Sequence, residues 1–211
     1  MATASRRLVP TPQGDAGLIA YRAHRPIATL VLGHGAGGSI GAPDLRALAA
    51  SLPRQDISVL LVEQPWVVAG KKVASSPAQL DEAFVHVVDR LRHRSPLVVG
   101  GRSAGARVAA RTAQRLGAVG CLALAFPLHP PGRPDRSRLD ELMGSAVPTL
   151  VVQGERDTFG RPDEFPDSVD MAVIPGADHG FQVSSGGPLT RSEALGIVVE
   201  ACLEWMTRDI P

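Results

Sequence analysis

At 211 residues, 44% of them hydrophobic and 20% charged, the chain has the balance of an ordinary globular protein, which excludes a fibrous or disordered class. A formal net charge of +1 leaves no electrostatic footprint for nucleic acid or an anionic membrane. One domain covering residues 1–211 is expected, long enough to bury roughly 70% of the surface of its unfolded form.

The amino terminus carries Arg6 and Arg7 without an apolar run of signal-peptide length behind them. No stretch approaches the ~18 apolar residues needed to cross a bilayer, so a cytoplasmic protein with no membrane partner is expected. The 20 arginines against two lysines read as coding bias of a GC-rich genome rather than as guanidinium recognition.

Strand-like runs are predicted at residues 17–22, 29–33, 57–63, 97–100, 121–126, 149–153 and 171–174. Most are continuously aliphatic, which is what a strand buried on both faces requires. Helical patterns separate them. Ser76-Pro77-Ala78-Gln79 combines a capping box with proline at the first helical position, and Leu80, Phe84, Val87, Val88 and Leu91 follow on one face. An alanine-rich helix runs from Ser103 to Leu116 and stops at Gly117. Thr190-Arg191-Ser192-Glu193 is a second capping box, opening a last helix with an apolar stripe that includes Cys202. The alternation predicts an α/β fold: a mostly parallel central sheet flanked by helices on both faces. Residues 127–148 hold five of the 18 prolines; that stretch is too short for a cap domain and is expected to make one short helix at 138–143. Cys121 and Cys202 are expected as reduced, buried thiols, with pairing between them left open.

Gly101-Arg102-Ser103-Ala104-Gly105 lies between an apolar strand and a helix, the setting in which G-x-S-x-G forms a nucleophile elbow. A serine hydroxyl needs a base. His86 and His93 fall on or at the end of a helix and His24 in an early turn, whereas His179 sits in Gly176-Ala177-Asp178-His179-Gly180, after the last strand. The acid that orients it is read as Asp157, just past the strand at 149–153, where catalytic groups gather in open α/β sheets. Glu155 and Asp163 are the fallbacks, and Asp178 is too close in sequence to meet its neighbour's ring. The order Ser103, Asp157, His179 is that of the α/β-hydrolases.

The oxyanion hole calls for two backbone N–H groups. One is assigned to Ala104, the other to the loop His34-Gly35-Ala36-Gly37-Gly38, with Ala36 as donor and Gly37 as the alternative. This loop lacks the Walker lysine and the G-x-G-x-x-G spacing of a phosphate cradle. His34 is read as fixing the loop. Trp66, Phe159 and Phe181 flank the strand ends and are expected to line a modest apolar substrate pocket, ordinary loop packing being the alternative. No metal or organic cofactor is called for.

These segments resemble the small α/β-hydrolases of the dienelactone-hydrolase-like group, which includes bacterial stand-alone hydrolases, testis-expressed protein 30 and a subunit of the NSL histone acetyltransferase complex. The likeness rests on Gly33-His34-Gly35-Ala36-Gly37, Gly100-Gly101-Arg102-Ser103-Ala104-Gly105-Ala106-Arg107, Phe126-Pro127-Leu128-His129-Pro130-Pro131-Gly132, Gln153-Gly154-Glu155-Arg156-Asp157 and Gly176-Ala177-Asp178-His179. The chain departs from that group where it has Arg102-Ser103-Ala104-Gly105-Ala106 in place of Lys-Ser-Met-Gly-Gly, and Gln64-Pro65-Trp66 in place of Phe-Pro-Tyr. The resemblance implies a serine hydrolase with Ser103, Asp157 and His179 at the triad positions. The resulting expectation is hydrolysis of a small acyl ester, thioester or lactone. The alternatives are a non-catalytic interaction module on the same fold and acyl transfer to an acceptor other than water. Arg102 is read as structural, while His129 is left open between a buried imidazole that holds the proline-rich turn and a substrate contact; oligomeric state is also left open.

Overall fold

The computed structural model describes residues 4–91 and 93–210. Eight strands form one sheet: β1 (Ser5–Thr11), β2 (Gly14–Tyr21), β3 (Ala28–Gly33), β4 (Ile57–Glu63), β5 (Leu97–Arg102), β6 (Gly120–Leu124), β7 (Thr149–Gly154) and β8 (Asp170–Ile174). Their spatial order is β1-β2-β4-β3-β5-β6-β7-β8. β2 runs antiparallel to β1 and β4, and every pair from β4 to β8 is parallel.

Alternate residues of the central strands feed two separate cores. Val31, Val99, Cys121, Ala123 and Val151 face α3 (Pro77–Val88) and α4 (Ala104–Thr112). Leu30, Leu32, Val98, Leu122, Leu124 and Val152 face α1 (Pro43–Ser51) and α6 (Arg191–Asp209). Burying the strands on both faces explains the unbroken aliphatic runs in the sequence. Phe84, Phe126 and Phe181 are the largest of the fully buried side chains, each contributing on the order of 2–3 kcal/mol from apolar burial. Both cysteines are buried and free, and burial pushes the Cys121 thiol up to about 12.

Helix starts follow local chemistry. Glu193 reaches back to the Thr190 N–H at 2.7 Å while its own N–H donates to Thr190 Oγ1 at 3.3 Å, and the Ser76 N–H donates to Gln79 Oε1 at 3.1 Å. α4 ends at Thr112, four residues short of the predicted limit, and the chain turns through Gly117 at φ 62°. β6 likewise stops at Leu124 rather than at 126. Ala125 turns left-handed at φ 45°, which ends the strand. β5 instead extends to Arg102.

One strand and two α-helices lie outside the predicted set. β1 pairs along its whole length with β2 but buries only Val9, so it carries no alternating pattern. α1 begins without a side-chain cap, at Pro43. The third, α2 (Pro65–Val68), is a single turn. Between β6 and β7 there are only a 3-10 turn at Pro134–Arg136 and α5 (Leu139–Met143), so among the described residues no cap domain is inserted at that point. Among the described residues no helix is long and apolar enough to cross a membrane.

Candidate active site

Ser103 follows β5 directly and sits at φ 53°, ψ −113°, a region that costs a non-glycine residue about 1–3 kcal/mol. The surrounding backbone holds it there. Its N–H donates to Leu124 O at 2.9 Å. A Cβ on Gly105 would lie 2.5 Å from the Gly33 carbonyl carbon and oxygen, and one on Gly101 would lie 2.7 Å from that same oxygen. Main chain from β3, the elbow and the start of α4 is therefore in direct contact, which only glycine permits at those two positions. Ser103 is also the N-cap of α4. Ala104 opens that helix, so its N–H is one of those without an intrahelical partner, and the helix dipole adds positive potential beside the hydroxyl.

The loop after β8 carries His179 to the serine. Its Nε2 lies 3.0 Å from Ser103 Oγ, and its Nδ1 lies 2.7 Å from Asp157 Oδ2. Asp157 can only accept, so Nδ1 carries the ring proton and Nε2 is free to accept from the serine hydroxyl. Asp157 is 0% exposed, yet both its oxygens are occupied: Oδ1 accepts from the Phe159 N–H at 2.8 Å, and Oδ2 accepts also from Gln153 Nε2 at 3.0 Å. The Phe159 ring stacks on the His179 imidazole with centroids 4.2 Å apart and 29° between planes. The His179 carbonyl accepts from Arg102 Nη2 at 2.7 Å.

Gln153 is the residue that sequence reasoning passed over. At the end of β7 it is fully buried. Its amide oxygen accepts from the Phe126 N–H at 2.9 Å, and its Nε2 reaches Asp157, Gly160 O at 2.8 Å and Phe126 O at 3.2 Å. It thereby ties the acid to the ends of both β6 and β7. The signal was present: a lone amide closes the apolar run Leu150-Val151-Val152.

On the other side of Ser103, a Cβ on Gly35 would come within 3.3 Å of the serine Cβ and 3.9 Å of Oγ, so the loop bearing Ala36 passes beside the hydroxyl. His34 anchors that loop. The Gln64 N–H donates to its Nε2 at 3.0 Å, which leaves the proton on Nδ1 to be donated to Gly35 O at 2.8 Å. Burial lowers the His34 pKa, and the neutral ring is the form that can accept from Gln64. The three glycines of this loop are not equivalent. Gly37 and Gly38 are absent from the positive-φ positions and a Cβ at either would meet nothing within 4 Å; only Gly35 is sterically constrained.

Of the three aromatics expected to line a pocket, one lies beside the candidate triad. Phe159 is half-buried against His179. Phe181 has no exposed surface, and its backbone, at φ 52°, lies in the core under α6; it cannot touch a substrate, which corrects that assignment. Trp66 is 93% buried, packed on His34 with centroids 5.8 Å apart, so it supports the loop rather than forming a rim. The other acids have structural work. Asp178 Oδ1 accepts from the Gly180 and Gln182 N–H groups, and Glu155 Oε2 accepts from the Gly176 N–H. His129 bonds Pro130 O at 2.9 Å and Glu164 Oε2 at 2.7 Å, holding the proline-rich turn. Among the described residues no three His, Cys, Asp or Glu side chains converge as metal ligands would.

Comparison with known proteins agrees with this frame. No curated protein matches the chain in sequence. Among solved structures, a lidless α/β serine hydrolase from Xanthomonas campestris superposes with a TM-score of 0.74 at 16% identity, covering 97% of this chain and 96% of that one. An α/β serine hydrolase homologue from Coxiella burnetii gives 0.74 at 18%, covering 95% and 98%. A dienelactone hydrolase from Anabaena variabilis gives 0.74 at 18%, covering 99% of each chain. At such identities the likeness is one of fold. The model of the alpha/beta hydrolase domain matches in sequence over residues 26–207, from the start of β3 into the last helix, and by that match the chain belongs to the α/β-hydrolase domain family.

Proposed function

We propose that this protein is a serine hydrolase that cleaves a small acyl ester, thioester or lactone through an acyl-enzyme. The observation that carries the reading is the hydrogen-bonded series Ser103 Oγ, His179 Nε2, His179 Nδ1, Asp157 Oδ2, with links of 3.0 and 2.7 Å, built around a strained serine. Strain persists at a site when the surroundings over-determine it, and a scaffold has no use for an oriented imidazole beside a strained hydroxyl.

In this reading His179 Nε2 takes the hydroxyl proton as Ser103 Oγ attacks the acyl carbon. The ionised Asp157 stabilises the imidazolium, and Gln153 and the Phe159 N–H hold that carboxylate in place. Negative charge on the carbonyl oxygen is received by the N–H groups of Ala104 and Ala36. Collapse expels the alcohol, thiol or ring oxygen, which takes the proton back from His179. Water then enters, gives its proton to the same nitrogen, and releases the acid and the free serine.

The names borne by structural neighbours, serine hydrolase and dienelactone hydrolase, support the reaction class. The Phe126-Pro127-Leu128-His129-Pro130-Pro131-Gly132 string supports a place in the branch with testis-expressed protein 30 and the NSL subunit. The half-buried ring of Phe159 beside His179 offers an apolar surface suited to a small acyl group. A panel of p-nitrophenyl esters, acyl thioesters and lactones, run with wild type against Ser103→Ala, tests this. Short esters cleaved by wild type alone are the expected result; equal rates in both proteins would end the proposal.

A further inference from the structure

A second charged pair lies behind the site, and none of the steps above uses it. Asp44 occupies the first turn of α1 and is 1% exposed. Neither of its carboxylate oxygens has a hydrogen-bond partner among the described residues. The nearest cation is Arg102, with Nε 3.4 Å from Asp44 Oδ2, and that Nε is itself buried without a hydrogen bond. The opposite end of the same guanidinium, Nη2, donates to the His179 carbonyl at 2.7 Å. The N–H groups of Asp44 and Leu45, in the first turn of the helix, face the carboxylate without well-formed hydrogen bonds, and a buried carboxylate so poorly satisfied is costly and calls for a reason. Packing supplies none, because its neighbours in α1, Leu45 and Leu48, are core residues beside which an apolar side chain would do better.

We propose that Asp44 and Arg102 form a positioning strut: Asp44 holds the guanidinium by charge, and the guanidinium holds the main chain of His179. Arg102 is the last residue of β5 and the immediate neighbour of Ser103. The strut therefore references the base directly to the strand that carries the nucleophile. His179 needs such a reference, because it stands in an irregular loop between β8 and α6. A misplacement of about 1 Å at a reacting group can cost ~100-fold in rate, and the Ser103–His179 link is 3.0 Å long. The planar fork of arginine suits the task, since one rigid group can face a carboxylate at one end and donate to a carbonyl at the other; lysine offers a single nitrogen. The contact stands on geometry alone, while its effect on rate rests on the hydrolase reading given above.

Stability and rate are expected to separate in the variants. Burial, the largest influence, raises the Asp44 pKa, and the Arg102 charge, the N–H groups of Asp44 and Leu45 and the His179 ring pull it part of the way back. A carboxyl whose pKa is raised on folding favours the fold below its unfolded value and works against it once pH rises past that value. Asp44 is thus a net cost near neutral pH, and Asp44→Asn should unfold at the same or a higher temperature. A residue kept for stability alone would behave in the opposite way.

The test uses steady-state kinetics on a short p-nitrophenyl ester, normalised to sites that take a fluorophosphonate probe, with thermal unfolding measured in parallel. Asp44→Asn is expected to lower kcat about 3- to 10-fold and Arg102→Met about 10- to 100-fold, both with KM within about twofold. The double variant should be no slower than Arg102→Met, because Asp44 acts only through Arg102. Arg102→Lys should recover only part of the loss, and it substitutes for Arg102→Met if that variant does not fold. Additive losses in the double variant, unchanged kcat, or a kcat that falls only in step with the unfolding temperature would overturn the strut. If the folded wild type cleaves no ester and takes no probe, it is the hydrolase reading that fails. The strut is then judged by the Nδ1–H proton signal of His179 in nitrogen-labelled protein. That signal must shift in Asp44→Asn and Arg102→Lys; an unmoved signal in both would refute the strut.

Discussion

Gln153→Leu removes the amide that joins the acid to the sheet while keeping the volume of the side chain. The Phe126 N–H loses its acceptor, and the Asp157, Gly160 and Phe126 oxygens lose a donor. The oxygen of Gln153 makes one bond and its two amide hydrogens make the equivalent of two more. Counting about 1 kcal/mol for each neutral bond and about 2 kcal/mol for the one to an ionised carboxylate gives a loss of ~4 kcal/mol. For a chain of this length that corresponds to roughly 8–16 °C in Tm. The kinetic effect comes on top of it. Asp157 keeps its bond from the Phe159 N–H but loses the one that fixes Oδ2, the oxygen facing His179. Released by one bond's worth of restraint, about 1.4 kcal/mol, the pair should lose about tenfold in kcat among folded molecules. Thermal unfolding followed by circular dichroism and initial rates of p-nitrophenyl ester cleavage, measured below the transition, read the two effects separately. A Tm within about 3 °C of wild type, or a kcat within about twofold, would refute the argument that this amide holds the acid.

Gly105→Ala should destabilise the protein by about 1–3 kcal/mol or more and also slow probe labelling, because its Cβ would meet backbone of Gly33 at 2.5 Å and push α4 away from β3; thermal unfolding and labelling rate check both effects. His129→Gln should cost more stability at about pH 5 than at about pH 9. The Pro130 carbonyl, and after it the Glu164 carboxylate, raise the His129 pKa, so its contribution is complete below the unfolded value and fades as pH rises through the folded one; chemical denaturation at the two pH values measures it. Phe159→Ala removes the ring stacked on His179 and should lower kcat/KM several-fold, on the order of 1 kcal/mol of aromatic contact, with most of the loss on aryl esters in a chain-length and leaving-group series.

The parallel strands and the three residues of the proposed triad were legible for one reason. Ser103, Asp157 and His179 each follow an apolar strand at its carboxyl end, where glycine and polar residues replace the aliphatic run and mark the exit from the sheet. β1 gave no such signal, since an edge strand that buries only Val9 has neither a continuous nor an alternating pattern. α1 was missed because Pro43 opens it without a capping side chain. Phe181 shows a different limit. Its position beside His179 suggested a substrate contact, but the direction of its ring follows from a left-handed backbone at φ 52° and from the α6 surface waiting above it. Neither can be read from residue types. The pairing of Asp44 with Arg102 was equally hidden, because it depends on the first turn of α1 coming to lie beside the carboxyl end of β5.

The measurement that bears most directly on the site is mass spectrometry of the folded protein after exposure to a fluorophosphonate probe. The expected result is one adduct per chain, mapped to the peptide at Ser103, absent in Ser103→Ala and formed orders of magnitude more slowly in His179→Ala. A folded wild type that stays unmodified, or an adduct that persists in Ser103→Ala, would contradict the assignment of Ser103 as the nucleophile.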